Sequence, residues 1–324
     1  MDLWTILHLM ITIAISYISC SEQHCGVFIL FRRRGYASAD TVSTYESLVD
    51  RFHNVSMLEC ADRVYTKYNW FIYGAKSRTC TGSKCLFLPV TLSETPSDYI
   101  IYHRDQPHMC EDIKTRDPTA GDGEYVLYPT AASMHGCPTK IYCSNMASGS
   151  PLEFVTLPTL NEGNYPEVHT MNCTEEIPYL SGFGVGSEGN YLYSKIRIHV
   201  KNMTIKADDF TFVNVVMGNT YPYGTASDCY TYQATCGPKG TFHINTLGTG
   251  MLVDKQLNWI LHDFSHKGKL RVARSPGGEK IELLCGGFCG GCVPDGPIVL
   301  YPNTEDAAFL GNIGSSLTRE KSIE

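Results

Sequence analysis

Charge is scarce in this chain. Asp, Glu, Lys and Arg make up 18% of 324 residues, and they sum to a net charge of −7 with a pI near 5.9. No broad basic field is present, so nucleic acid has no support as a partner. Beyond the N-terminus no apolar run approaches the ~20 residues of a spanning helix, and no transmembrane segment is expected. H-E-x-x-H is absent, and with it the helix that supplies two zinc ligands and a base. G-x-S-x-G is absent too, so no nucleophile elbow is expected. G-x-G-x-x-G occurs once, at Gly184–Gly189, but it leads into a strand pattern and opens no helix. The dinucleotide context is missing, and a flexible glycine loop is expected.

The chain is not short of cysteine. It has fourteen, behind an N-terminal apolar run, Leu3–Ile18, that is too short to span and is followed by polar Ser21–His24. Residues 1–19 are read as a secretory signal peptide, with cleavage after Ser16, Ser19 or Cys20. The n-region carries Asp2 and no Lys or Arg. In an oxidising compartment the remaining cysteines form a disulfide framework: Cys25, Cys60, Cys80, Cys85, Cys110, Cys137, Cys143, Cys173, Cys229, Cys236, Cys285, Cys289 and Cys292. Sequons at Asn54, Asn172 and Asn202 fit an extracellular glycoprotein.

The first domain is placed at residues 25–104. Gly26–Phe31 reads as a strand, ended by a solvated turn at Arg32–Arg34. Ser56–Tyr68 reads as a helix, with Ser56 and Glu59 in capping-box positions and Leu58, Ala61, Val64 and Tyr65 near one face. Trp70–Tyr73 follows as a strand. Gly74–Lys84 reads as a polar loop, and Cys85–Leu88 as a second strand. The helix cysteine and the strand cysteine invite a Cys60–Cys85 bridge.

The second domain, residues 108–302, reads as mainly β. Strands are expected at Glu124–Tyr128, Lys140–Cys143, Glu153–Leu157, Tyr191–Val200 and Phe210–Val216, and one helix at Asp254–Phe264. Its organising stretch is residues 225–250. Cys229 and Cys236 bracket six residues, and Thr241–Leu247 alternates with Phe242 and Ile244 inward. Gly248-Thr249-Gly250 stops the strand at a tight turn. CGGFCGGC, residues 285–292, packs glycine densely enough for three sulfurs to converge. A disordered tail is expected over 303–324. The fold class is mainly β or α+β, a disulfide-rich two-domain secreted protein.

Two resemblances sharpen this reading. ECADRVYTKYNWFIYGAKSRTCTGSKCLFL resembles a PAN/apple domain, although Val64 and Asn69 stand where that family has a further cysteine pair. The resemblance implies a protein- or carbohydrate-binding module. CEDIKTRDPTAGDGEYVLY, KIYCSNM, EFVTLP, YSKIRIHVKNMTIKADDFTF, TASDCYTYQATCGPKGTFHINTLGTG and CGGFCGGC, in that order, resemble the GON domain at the C-terminus of some secreted ADAMTS-type metalloproteases. DGEYVLYP and KIYCSNM also resemble, locally, the start of fibrinogen-like domains. Cys137 is a departure from the GON pattern. It leaves nine cysteines in the region, one of them unpaired or bonded to the first domain.

The resemblance implies a zinc protease only for the parent family, since it covers an accessory domain. His262 and His266 have i, i+4 spacing without a third ligand, and Cys285, Cys289 and Cys292 have zinc-like spacing. An exposed helix end and disulfides are the respective expectations. Asp122, Glu124, Asp208 and Asp209 are candidates for calcium, with surface turns as the alternative. The expected function is non-enzymatic binding of an extracellular protein or glycan ligand, without a cofactor. The alternative is a metalloprotease-related protein with zinc.

Overall fold

A computed structural model describes residues 31–37, 49–64, 68, 70–83, 85, 99–104, 106–134, 136–166, 186–229, 239–262, 268–287 and 289–309. The signal segment, Cys25, Leu86–Leu88, Asn172, Cys173, Cys236, His266 and residues 310–324 lie outside them. The chain divides into two compact units. The first draws on residues up to Pro107 and includes Cys137; the second is built from His108–Met134 and from Pro138 onward. No helix among the described residues is long and apolar enough to cross a membrane.

The first unit contains β1 (Phe31–Ala37), β2 (Val49–Phe52), α1 (Met57–Val64), β3 (Trp70–Gly74), β4 (Thr79–Ser83) and β5 (Tyr99–Arg104). The strands form one antiparallel sheet in the order β1-β5-β3-β4-β2. The helix begins at the capping box read from the sequence. Glu59 N–H donates to Ser56 Oγ at 3.2 Å, and Ser56 N–H donates to Glu59 Oε2 at 2.6 Å. Cys60 and Val64 are buried under the helix, and Phe71 stacks on Tyr102 with centroids 4.6 Å apart.

Three expectations for this unit are corrected. Arg32–Arg34 form no turn but sit inside β1, where Arg32 pairs with His103 and Arg33 with Tyr102. An edge strand tolerates such charge. The polar stretch Gly74–Lys84 is not a loop, because Thr79–Ser83 is β4, paired with β3 on one side and β2 on the other. Gly82 looks like a loop breaker in the sequence. Its missing Cβ is instead what admits the helix, since an added Cβ would lie 2.6 Å from the Tyr68 ring and 2.8 Å from Val64. As a consequence Cys60 bonds to Cys80 on β4, not to Cys85, and Cys85 bonds to Cys137.

The second unit contains α2 (Cys110–Arg116), β6 (Gly123–Leu127), β7 (Thr139–Ser144), β8 (Leu152–Tyr165), β9 (Gly189–His199), β10 (Thr204–Ile205), β11 (Val213–Gly218), β12 (Ala226–Ser227), β13 (Gly240–Asn245), β14 (Met251–Val253), β15 (Trp259–His262), β16 (Lys269–Arg274), β17 (Lys280–Gly286), β18 (Gly291–Pro294) and β19 (Leu300–Pro302). Nine strands form the main sheet. Its long path is β10-β9-β8-β13-β17-β16, with β11 on β9, β7 on β8 and β6 on β7. Two small sheets, β12-β18-β15 and β14-β19, complete the unit. Cys110–Cys143 ties α2 to β7.

The strand β13 lies between β8 and β17 in the main sheet. Phe242, Ile244 and Thr246 are buried on one side, while His243 is exposed. Phe242 meets Tyr223, Tyr193 and Tyr191 at centroid distances of 5.0, 6.0 and 6.4 Å. Gly248 and Gly250 both hold positive φ, so the strand ends at the tight turn its glycines suggested. Asn161, fully buried at a register shift in β8, donates to the Tyr223 hydroxyl at 2.8 Å and accepts from Asn245 N–H at 2.6 Å.

This aromatic cluster gives a pH expectation. Burial raises the Tyr165, Tyr191, Tyr193 and Tyr223 phenols well above their usual range. A phenol with a raised pKa in the folded state stabilises the fold fully below its unfolded value, about 10, and that stabilisation is lost as pH rises beyond it. An alkaline titration followed by tyrosinate absorbance should therefore show these four ionising together with unfolding. Smooth ionisation near pH 10, with the fold intact, would contradict this.

The expected helix at Asp254–Phe264 is also corrected. Asp254–Leu257 is a turn, and Trp259–His262 is β15, paired with β18. Leu257 and Trp259 are buried, whereas Ile260 and Leu261 are about half exposed. Among the described residues of that helical stripe Leu257 is buried and Ile260 and Leu261 are exposed, so they share no buried face, and strand pairing overrides the periodicity. The tail expectation is corrected for its first residues. Asn303, Asp306 and Phe309 are buried, and Asp306 Oδ2 accepts from Gly248 N–H at 2.8 Å and Gly250 N–H at 3.3 Å.

Candidate functional site

The cysteine-rich junction of the second unit is built on Asp228, a fully buried acid just before Cys229. Its Oδ2 accepts from Lys239 N–H at 2.6 Å and Gly240 N–H at 3.2 Å, and its Oδ1 accepts from Gly287 N–H at 2.5 Å. Asp228 N–H donates to Gly290 O at 3.2 Å. One side chain therefore joins the start of β13 to the CGGFCGG turn. Gly286, with φ of 141°, leaves the space it occupies, because a Cβ there would lie 2.1 Å from the carboxylate. The cysteines complete the junction as Cys285–Cys292 and Cys229–Cys289. The convergence read from CGGFCGGC is therefore partial: two of its sulfurs bond each other, and the third crosses to the loop before β13. Backbone donors pointing at one buried carboxylate are a structural clamp. Cys285, Cys289 and Cys292 are all held in disulfides.

The other candidate ligands among the described residues form no group of three. His262 is exposed at the end of β15. Asp122 Oδ1 accepts from Met146 N–H at 2.7 Å; this bond and those from Asn145 and Ser144 lower its pKa. Glu124 accepts from the Thr156 hydroxyl. Burial pushes Asp209 up, but the Thr211 hydroxyl and amide and the Arg197 guanidinium, 2.9 Å away, outweigh it and leave the acid below its usual range. Asp208 sits 3.8 Å from Lys206 Nζ. Asp122 and Asp209 are held by their own local partners. Among the described residues no three His, Cys, Asp or Glu side chains are grouped as a metal ion would need.

Two sequons are exposed. Asn54 stands before α1, with φ of 57°. Asn202 is on the turn between β9 and β10, where Thr204 Oγ1 donates to its Oδ1 at 2.7 Å. The polar residues that organise the unit, Asp228, Asn161 and Asp306, were not singled out from the sequence. Nothing in their local context separates a buried acid or amide from a surface one.

The comparisons with known proteins fall on this unit. Residues 107–302 match the GON domain. The protein named A disintegrin and metalloproteinase with thrombospondin motifs 20 is 33% identical in Homo sapiens over 197 residues, 57% of this chain and 10% of the relative. Its Mus musculus counterpart is 32% identical over the same length. A disintegrin and metalloproteinase with thrombospondin motifs gon-1 of Caenorhabditis elegans is 31% identical over 198 residues, 58% of this chain and 9% of the relative. The chain spans about a tenth of the length of these curated relatives. No solved structure matches. The ordered motifs, the β architecture around Asp228 and a family match over more than half of the sequence agree: this chain belongs to the GON domain family.

Proposed function

We propose that the chain is a secreted, non-enzymatic binding protein that recognises an extracellular protein or glycan of the matrix, cell surface or mucus. The observation that carries this reading is the extent of the match. It covers the GON region, a tenth of relatives whose names include a metalloproteinase, and the 324 residues contain no H-E-x-x-H. Five disulfides among the described residues support an oxidising compartment, reached through the signal peptide at residues 1–19. In the same reading, Asn54 and Asn202 are exposed acceptors for N-glycans. The first unit serves as a PAN/apple-like module, a reading supported by a helix cysteine bonded to the antiparallel sheet beneath it. Metalloprotease-related zinc binding is the weaker reading, because it rests on the names of much longer relatives.

The test is expression of the full chain in secretory cells, followed by binding of the purified product to arrays of matrix proteins and glycans with and without a chelator. Recovery from the medium without the leader, a mass decrease on N-glycan removal and chelator-insensitive binding without cleavage are expected. Product that keeps Met1, or cleaves array proteins in a chelator-sensitive way, would overturn the reading.

A further inference from the structure

A polar cleft of about 330 Å³ lies in the second unit, away from the Asp228 junction. Its floor is the β14–β19 pair, in which Leu252 stands opposite Tyr301. One wall is the turn after β14, fixed where Asp254 N–H donates to Val299 O at 3.0 Å and Gln256 N–H donates to Asp254 Oδ1 at 2.8 Å. The other wall is the segment after β19. There Asn303 is buried, donating its N–H to Gly250 O at 2.8 Å and its side-chain amide to Glu279 Oε1 at 3.0 Å. A Cβ at Gly278 would lie 3.4 Å from Lys255 Cε, so the Lys255 stem rests against the β16–β17 turn. Every wall of the cleft is therefore anchored by backbone hydrogen bonds, while Lys255, Gln256 and Glu305 remain exposed around its mouth.

We propose that this cleft binds one neutral sugar residue, a hexose or N-acetylhexosamine, of an extracellular glycan. The proposal rests on the binding reading above and names its ligand class. The volume is at the lower end of small-ligand sites, about 300–1,000 Å³, where a rigid apolar floor with a few convergent polar groups is the usual composition. The half-buried Tyr301 ring offers an amphipathic surface to the C–H face of a sugar. Asp254 and Glu305 accept hydroxyl hydrogens, and Gln256 both donates and accepts. The charge decides against anionic sugars. Asp254 and Glu305 line the cleft, with Glu279 hydrogen-bonded to its wall, and Lys255 is the one cationic side chain among the lining residues. A sulfate or carboxylate entering there would meet more like charge than opposite.

The experiment is saturation-transfer NMR and calorimetric titration of the full, purified chain with methyl mannoside, N-acetylglucosamine and a sulfated heparin disaccharide. Tyr301→Ala and Gln256→Ala are run beside the parent. Gln256 is exposed, so its variant keeps the test valid even if Tyr301→Ala fails to fold. Millimolar binding of a neutral sugar, weakened about tenfold or more in each folded variant, with no binding of the sulfated disaccharide, is expected. Neutral sugar binding that both variants retain places the sugar elsewhere and overturns the cleft. Sulfated sugar binding without neutral binding overturns the ligand class. If no sugar binds while the parent still captures a matrix protein, the cleft proposal falls and the binding reading survives. Absence of any array ligand sinks both.

Discussion

Asp228→Ala is expected to destabilise the second unit by several degrees in Tm. Three N–H groups lose their acceptor at once: those of Gly240 and Gly287 are buried, and that of Lys239 is partly buried. Each unsatisfied buried donor costs about 1–3 kcal/mol. Even the low end for the two buried donors, about 2 kcal/mol, is a substantial part of a typical domain stability of about 5–15 kcal/mol. For a domain of this size that corresponds to a fall in Tm of roughly 4–8 °C. Asp228→Asn separates chemistry from volume. Its single carbonyl oxygen can serve Gly287 or the Lys239 and Gly240 pair, but not both sides, so an intermediate loss is expected. Thermal unfolding by circular dichroism checks both variants. A Tm for Asp228→Ala within a degree or two of the parent would show that the acid is not the clamp described here.

Phe242→Ala is the second large expected effect. Phe242 is fully buried in the centre of the main sheet, ringed by Tyr191, Tyr193 and Tyr223. Truncating a buried Phe to Ala costs about 3–5 kcal/mol through lost transfer energy and the cavity left behind. Thr241, its neighbour in sequence, faces the other side of β13 and is only partly buried. Thr241→Ala is expected to cost under about 1 kcal/mol. The pair therefore tests register as well as burial, since a one-residue slip would exchange the two outcomes. Similar melting temperatures for the two variants would contradict the assigned register.

The sequence was most legible where local chemistry and tertiary environment agree. The alternation of β13, the capping box at Ser56 and Glu59, and the glycine turn after Asn245 carry their own geometry, and each forms as read. Periodicity misled where an apolar residue remains in solvent. Ile260 and Leu261 complete a helical stripe on paper, but they are exposed on a strand held by β18. Composition misled at Thr79–Ser83, where Gly82 is present for close packing and not for a turn. That single error moved the partner of Cys60 from Cys80 to Cys85. The polar residues of the junction were not legible for a different reason. Asp228 and Asp306 are buried because chain segments distant in sequence aim N–H groups at them, as Gly287 does at Asp228 and Gly248 at Asp306. No local pattern encodes such convergence. Likewise, the cleft beside Tyr301 exists because residues 252–256 and 301–305 are brought together by β14 and β19.

The central claim is that the cysteines of CGGFCGGC are held in disulfides that close a covalent clamp around Asp228. Native mass spectrometry of the secreted chain, with non-reducing peptide mapping of the same sample, tests it most directly. The account requires peptides linked through Cys285–Cys292 and Cys229–Cys289, in protein that carries no stoichiometric zinc. Free thiols at Cys285, Cys289 and Cys292, together with one zinc ion per chain lost on acidification, would contradict it.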